Sequence, residues 1–61
     1  MSFVSSVLTS VEYRWANEST AHGMPHPDEL RWLGFEYVRR DDGSIVRDPR
    51  YPASVLMWRN V

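Results

Sequence analysis

Residues 26–48 constrain the fold more than any other part of the chain, because their pattern fits only one succession of elements. Pro27, followed by two acidic residues, is a typical helix start, since proline suits the first helical position and acids suit the positive end of the helix dipole. Gly34 is a typical helix stop. The helix between them is only two turns long and needs packing to hold it, which we expect from Leu30 and Leu33, with Trp32 as a further candidate.

Residues 35–47 predict a β-hairpin around the turn residues 41–43, Asp-Asp-Gly. Two turns fit: a two-residue turn on Asp-Gly, or a three-residue turn with a glycine bulge. They differ by one step of register, which decides whether Val38 faces the same side as Val46 or as Ile45. The sequence leaves this choice open.

The two ends of the chain predict further strands. Residues 3–11 fit both helical and strand spacing, but the five Ser or Thr and three Val residues within residues 1–16 favour a strand. Residues 54–58 are nearly continuous in apolar character, which is typical of a central strand covered on both faces. The four predicted strands span residues 8–15, 35–40, 44–47 and 53–60.

These elements predict one small α+β domain over residues 1–61, with the order β-α-β-β-β: an antiparallel sheet of about four strands with one short helix packed on it. A chain of 61 residues has little surface to bury. With no cysteine, disulfides are excluded, so aromatic packing, a homo-oligomer or a larger partner must stabilise it. We expect Trp15, Trp32, Phe35 and Trp58 in the core, with one or two of Trp32, Tyr37, Tyr51 and Trp58 partly exposed.

No set of residues has the pattern of an enzyme. The only metal-capable cluster is His22 and His26 with the acids after Pro27, and Gly23 and Pro25 prevent a helix from aligning the two histidines. We interpret them as solvated loop residues, with a loop metal site or a pH-sensitive contact as alternatives. The paired acids of the turn are explained by turn geometry. We therefore expect no enzymatic activity, no metal and no cofactor.

The basic residues are all arginine, seven of them against eight acids. Residues 1–30 hold one arginine and four acids, whereas residues 31–61 hold six arginines and four acids, so the basic surface belongs to the C-terminal half. Arginine and aromatic side chains are enriched at protein-binding hot spots, and on a sheet face they also bind single-stranded nucleic acid. A plain solvated strand face explains the arginines equally well.

These considerations give one candidate partner-binding set of arginine and aromatic residues. Its members are Trp32, Tyr37, Arg39, Arg40, Arg47, Arg50, Tyr51 and Arg59.

We interpret the chain as a non-enzymatic protein-binding mini-protein in the cytoplasm, without a membrane span. Its size and composition are typical of phage or mobile-element accessory factors that inhibit a host machine, as anti-CRISPR proteins and polymerase inhibitors do. This is an analogy and no motif carries it. The alternatives are a small nucleic-acid-binding protein with an arginine and aromatic sheet face, and a structural subunit of a homodimer or larger assembly.

Overall fold

The computed structural model describes residues 10–19 and 23–61, which form a small α+β domain with three antiparallel strands and one short helix. The predictions for residues 1–9, including the choice between helix and strand there, and the predictions for His22 lie outside the described residues. The elements in chain order are β1 (Val11–Asn17), α1 (Pro27–Trp32), β2 (Glu36–Tyr37) and β3 (Ser54–Asn60).

The last strand lies at the centre of the sheet, in the order β1-β3-β2. Along one edge of β3, β1 pairs over its full length, from Val11 opposite Asn60 to Asn17 opposite Ser54. Along the other edge, β2 pairs over two residues, and Tyr37 lies opposite Met57. The apolar run in residues 54–58 therefore predicted the central position of this strand correctly. The expected cover on both faces is not observed within the described residues, because α1 packs on one face only.

The predicted fourth strand, residues 44–47, is wrong as a separate strand. Among the described residues this segment forms only isolated bridges, Ile45 with Arg39 and Arg47 with Val55. The four-stranded β-α-β-β-β order is thus not observed, and three strands and two bridges take its place.

Leu56 explains why the hairpin does not add a full strand. Its carbonyl accepts a hydrogen bond from the Val38 N–H at 3.0 Å, and its N–H donates to the Val46 carbonyl at 3.0 Å. At Leu56, the partner of this edge of β3 therefore changes from the first arm of the hairpin to the second. Because each arm follows β3 for only a few residues, neither builds a long ladder there.

The hairpin uses the three-residue turn with a glycine bulge. The Gly43 N–H donates to the Arg40 carbonyl at 2.9 Å, and the Arg40 N–H donates to the Ser44 carbonyl at 2.8 Å. Gly43 has φ +89°, a left-handed conformation that favours glycine. The Val46 N–H donates to the Val38 carbonyl at 3.1 Å, so these two valines lie opposite each other and share a face.

Helix α1 begins and ends as the sequence predicted, but it packs through fewer residues. The His26 side chain caps it, because its Nδ1 accepts a hydrogen bond from the Asp28 N–H at 3.1 Å. Gly34, with φ +96°, follows its end. Leu30 is fully buried, as expected, whereas Leu33 is 48% exposed, so its predicted packing role is wrong.

The core lies between α1 and one face of the sheet. Its buried hydrophobic residues are Ala16, Leu30, Phe35, Val55 and Met57, with Tyr37 and Ile45 packed at its margin.

The prediction that three tryptophans join Phe35 in this core is wrong. Trp32 is 86% exposed at the end of α1, and Trp15 is 40% exposed. Trp58 is only partly buried. Strand alternation explains the exposure of Trp15 and Trp58. Val55 and Met57 of β3 face the helix, so Leu56 and Trp58 face the other side of the sheet. Trp15 of β1 lies opposite Leu56 and faces that side too.

Within the described ranges, no helix has the length and apolar character needed to cross a membrane.

Candidate protein-interaction surface

The end of helix α1 presents the most exposed large hydrophobic side chain of the described residues, Trp32, with a second exposed apolar residue beside it. Trp32 is 86% exposed, and Leu33, which follows it, is 48% exposed. Arg31 precedes them, is also exposed, and its side chain has no partner in the part of the chain that the structure describes. We call these three residues the helix-end surface.

A groove adjoins the helix-end surface and runs along β2. It has a volume of about 470 Å³. Its lining residues are Arg31, Gly34, Phe35, Glu36, Tyr37 and Arg39.

Two members of the predicted partner-binding set meet in this groove. The Arg39 guanidinium lies 6.0 Å from the centre of the Tyr37 ring, at the limit of a cation–π contact. Its Nη1 also donates to the Gly43 carbonyl at 2.8 Å. The groove wall therefore combines an aromatic ring with a positive charge that the hairpin turn holds in place.

Arg59 holds the helix-end surface to the sheet. Its guanidinium lies 4.6 Å from the centre of the Phe35 ring, and its Nη1 donates to the Leu33 carbonyl at 2.8 Å. Its Nε donates to Glu12 Oε1 at 2.9 Å. These contacts occupy the Arg59 side chain. Arg59 therefore supports the helix-end surface from within the chain, although the sequence predicted that it contacts the partner directly.

Arg47, Arg50 and Tyr51 lie at the other end of the sheet. The Arg47 Nη1 donates to Glu18 Oε1 at 2.8 Å and to the Pro52 carbonyl at 2.8 Å. Tyr51 is 63% exposed and lines a separate groove near Ser54. Ser54 and Arg59 are about 17 Å apart at the rise of a strand. The predicted set is therefore split into two groups.

Most of the predicted arginines are engaged within the chain. Arg40 donates from Nη1 to the Ile45 carbonyl at 3.2 Å, and Arg39, Arg47 and Arg59 have the bonds given above. Within residues 10–19 and 23–61, the arginines whose side chains have no partner are Arg14, Arg31 and Arg50.

The contact between Arg47 and Glu18 affects the ionisation of the carboxylate. The hydrogen bond from Arg47 is the main cause that holds the pKa of Glu18 below its ordinary value; desolvation opposes it, and the charge of Arg47 acts with it. The pair therefore favours the ionised form of Glu18.

The potential metal ligands do not gather in the described chain. His26 is used as the cap of α1, and no group of three or more His, Cys, Asp or Glu side chains forms within the described ranges.

A second apolar surface lies on the sheet face opposite the helix. It consists of the side chains that alternate outward from β1, with Leu56 and Trp58 of β3 beside them, and we call it the open face. Val11 is 40% exposed, Tyr13 59% and Trp15 40%. Of these residues, Trp15 was expected in the core, and strand alternation places it on the open face instead.

The helix-end surface also extends beyond the predicted set. Arg31 and Leu33 belong to it but are not members of the predicted set. The signal for Arg31 was its place beside Trp32 in the last turn of a short helix, where only one stripe of side chains can face the sheet.

No protein-family model, no curated protein and no solved structure matches this chain.

Proposed function

We propose that this chain is a non-enzymatic protein-binding module and that its helix-end surface is the contact site. The observation that carries the proposal is Trp32, a large aromatic side chain that is 86% exposed. Tryptophan and arginine are the residues most enriched at binding hot spots, and here Trp32 follows Arg31, whose charge has no partner within the described chain.

The groove beside this surface supports a partner of particular chemistry. Arg31 and Arg39 bring positive charge to it, Tyr37 brings aromatic surface, and among the described residues Glu36 is the acid that lines it. A segment with an apolar anchor and a nearby carboxylate complements this arrangement. Arg31 pairs with the carboxylate in bidentate geometry, and Trp32 packs on the apolar anchor.

The arginines favour a protein over a nucleic acid as the partner. A phosphate backbone is bound by several unpaired basic side chains along one track. In the predicted partner-binding set, Arg39, Arg47 and Arg59 each have an intramolecular hydrogen bond. Arg50 lies at the far end of the sheet from Arg59, so these arginines form no single track.

The more specific form of the proposal is an accessory factor of a phage or mobile element, located in the cytoplasm, that blocks a host machine by occupying its surface. The absence of cysteine agrees with a reducing compartment.

A capture experiment with matched variants tests the proposal. Tagged wild-type protein, Trp32→Ala, Arg31→Glu and Tyr51→Ala are each incubated with bacterial lysate, with and without nuclease, and the captured proteins are quantified by mass spectrometry. We expect one captured protein that Trp32→Ala and Arg31→Glu each reduce at least about tenfold, since a hot-spot residue contributes more than about 1.4 kcal/mol.

Tyr51→Ala is the control, because Tyr51 is an exposed aromatic residue at the other end of the sheet. Thermal melts of all four proteins verify that the substitutions leave the domain folded. Capture that Trp32→Ala leaves unchanged contradicts the helix-end surface as the site. Capture that disappears when nuclease is added indicates nucleic acid instead.

A further inference from the structure

Within the described residues, the outer edge of β1 pairs with no other strand. The backbone N–H and C=O groups of the even-numbered residues of β1 face β3. Hydrogen bonds at the two ends of the ladder establish this: the Val61 N–H donates to the Ser10 carbonyl, and the Glu18 N–H donates to the Ala53 carbonyl. The N–H and C=O groups of the odd residues therefore point outward. Those of residues 11, 13 and 15 have no partner in the described chain, whereas the Asn17 N–H donates to the Pro25 carbonyl.

We propose that this edge pairs with the same edge of a second copy of the chain, antiparallel and centred on Tyr13. The two sheets then join into one sheet of six strands. Tyr13 lies opposite Tyr13 of the second copy, and Val11 lies opposite Trp15 of the second copy. Each of these pairs exchanges two backbone hydrogen bonds, because the outward-pointing residues meet each other in this register.

Charge complementarity selects this register. The residues between the hydrogen-bonded pairs are Glu12 and Arg14, and centring on Tyr13 places each acid opposite the arginine of the other copy. A shift of two residues in one direction places Glu12 opposite Glu12, and in the other direction Arg14 opposite Arg14. Like charges directly opposite each other are destabilising, so both shifts are disfavoured.

The side chains on either side of the sheet suit the same pairing. Arg14 is exposed and has no partner within the described residues, so it is free to meet Glu12 of the second copy. On the open face, Val11, Tyr13 and Trp15 are each 40% exposed or more, and pairing brings the two sets together into one apolar strip. An aromatic pair and aromatic–aliphatic pairs across strands stabilise a sheet.

This inference does not rest on the proposed function, because the β1 edge and the helix-end surface are different parts of the molecule. We therefore expect Trp32→Ala to leave dimer formation unchanged.

Sedimentation equilibrium with charge variants tests the pairing. An interface of one short strand is small, so the measurement covers about 10 µM to 1 mM. We expect the wild-type mass to double across this range. Arg14→Glu should remain a monomer, because it places acids against acids, and Glu12→Arg should remain a monomer for the opposite reason. An equimolar mixture of the two variants should form a heterodimer, since both charge pairs are then complementary.

Arg50→Glu is the matched control, because it makes the same change of charge at an exposed arginine that is also unpaired in the described chain but lies away from β1. Circular dichroism verifies that each variant is folded, which matters most for Glu12→Arg, since Glu12 also pairs with Arg59. A wild-type monomer at 1 mM overturns the proposal. So does a dimer that Arg14→Glu leaves intact, because the register is then different.

A cross-linking measurement gives an independent result. The chain contains no cysteine, so Tyr13→Cys introduces a single thiol. Opposed residues of a hydrogen-bonded antiparallel pair lie about 5.5 Å apart at Cα, within disulfide range. We expect this variant to form a disulfide-linked dimer under mild oxidation much faster than Tyr51→Cys. Equal rates for the two variants overturn the central position of Tyr13.

Discussion

Glu18 and Arg47 form a contact between two segments that are distant in the sequence. The Arg47 Nη1 lies 2.8 Å from Glu18 Oε1, and the side chains are 42% and 40% exposed. Water therefore screens the pair, and its contribution to the free energy of unfolding is small. Its value to the fold is positional, because it joins the loop after β1 to the hairpin arm that precedes β3.

The stability contributed by this pair should depend on pH. The folded state lowers the pKa of Glu18, so the unfolded state takes up a proton first as the pH falls. The contribution is therefore complete above the ordinary glutamate pKa and is lost as the pH falls through the lower folded value.

We expect Glu18→Gln to lower the free energy of unfolding slightly at about pH 7, and this difference should disappear as the pH falls below the lowered pKa of Glu18. Urea titrations of both proteins across this range measure the difference. A constant difference at every pH would mean that the ionised carboxylate is not the cause.

At the scale of elements, the hairpin turn depends on one backbone conformation. Gly43 has φ +89°, and nothing lies within 4 Å of where its Cβ would be. Substitution there therefore costs backbone strain and no steric clash. We expect Gly43→Ala to lower the free energy of unfolding by about 1 kcal/mol, and Gly43→Asn by less, because asparagine tolerates left-handed backbone better. Urea denaturation measures both, and equal losses for the two variants would contradict this reason.

The elements were predictable where their signals are local. Pro27 and Gly34 bound a short helix, and Gly43 belongs to a turn, because each of these residues acts on its own backbone. The prediction of a fourth strand was wrong although residues 44–47 have the composition of a strand. The two arms of the hairpin share one edge of β3, which changes partner at Leu56. This sharing depends on how the strands pair, so the local sequence does not indicate it.

The candidate site was predictable to a smaller extent. Trp32 and Tyr37 were selected by residue type, and both lie at or beside the same groove. Arg47 and Tyr51 have the same residue types but lie at the other end of β3. Composition identifies side chains suited to binding, whereas their assembly depends on which end of a strand each loop reaches.

At the scale of the whole molecule, a small core on one side of the sheet determines stability. Met57 is fully buried in that core, whereas Trp32, a larger side chain, is 86% exposed. We expect Met57→Ala to lower the free energy of unfolding by about 2–5 kcal/mol, because a buried side chain is lost and a cavity remains. Trp32→Ala should change it by less than about 0.5 kcal/mol.

Chemical denaturation of the two variants beside the wild type measures this contrast. For a domain of this size the first loss is a large part of the total stability. A comparable loss for Trp32→Ala would mean that Trp32 belongs to the core, and the proposed contact site would then be wrong as well.

The central position of β3 has a consequence for how the protein is made. A ribosome synthesises β3 after every other described element, yet β1 takes its sheet hydrogen bonds from β3, and the hairpin joins the sheet through β3. Before β3 emerges, the two arms of the hairpin pair with each other, but no described element joins them to β1. The complete sheet is therefore acquired in one late step, when residues 54–60 emerge and join the two halves of the chain.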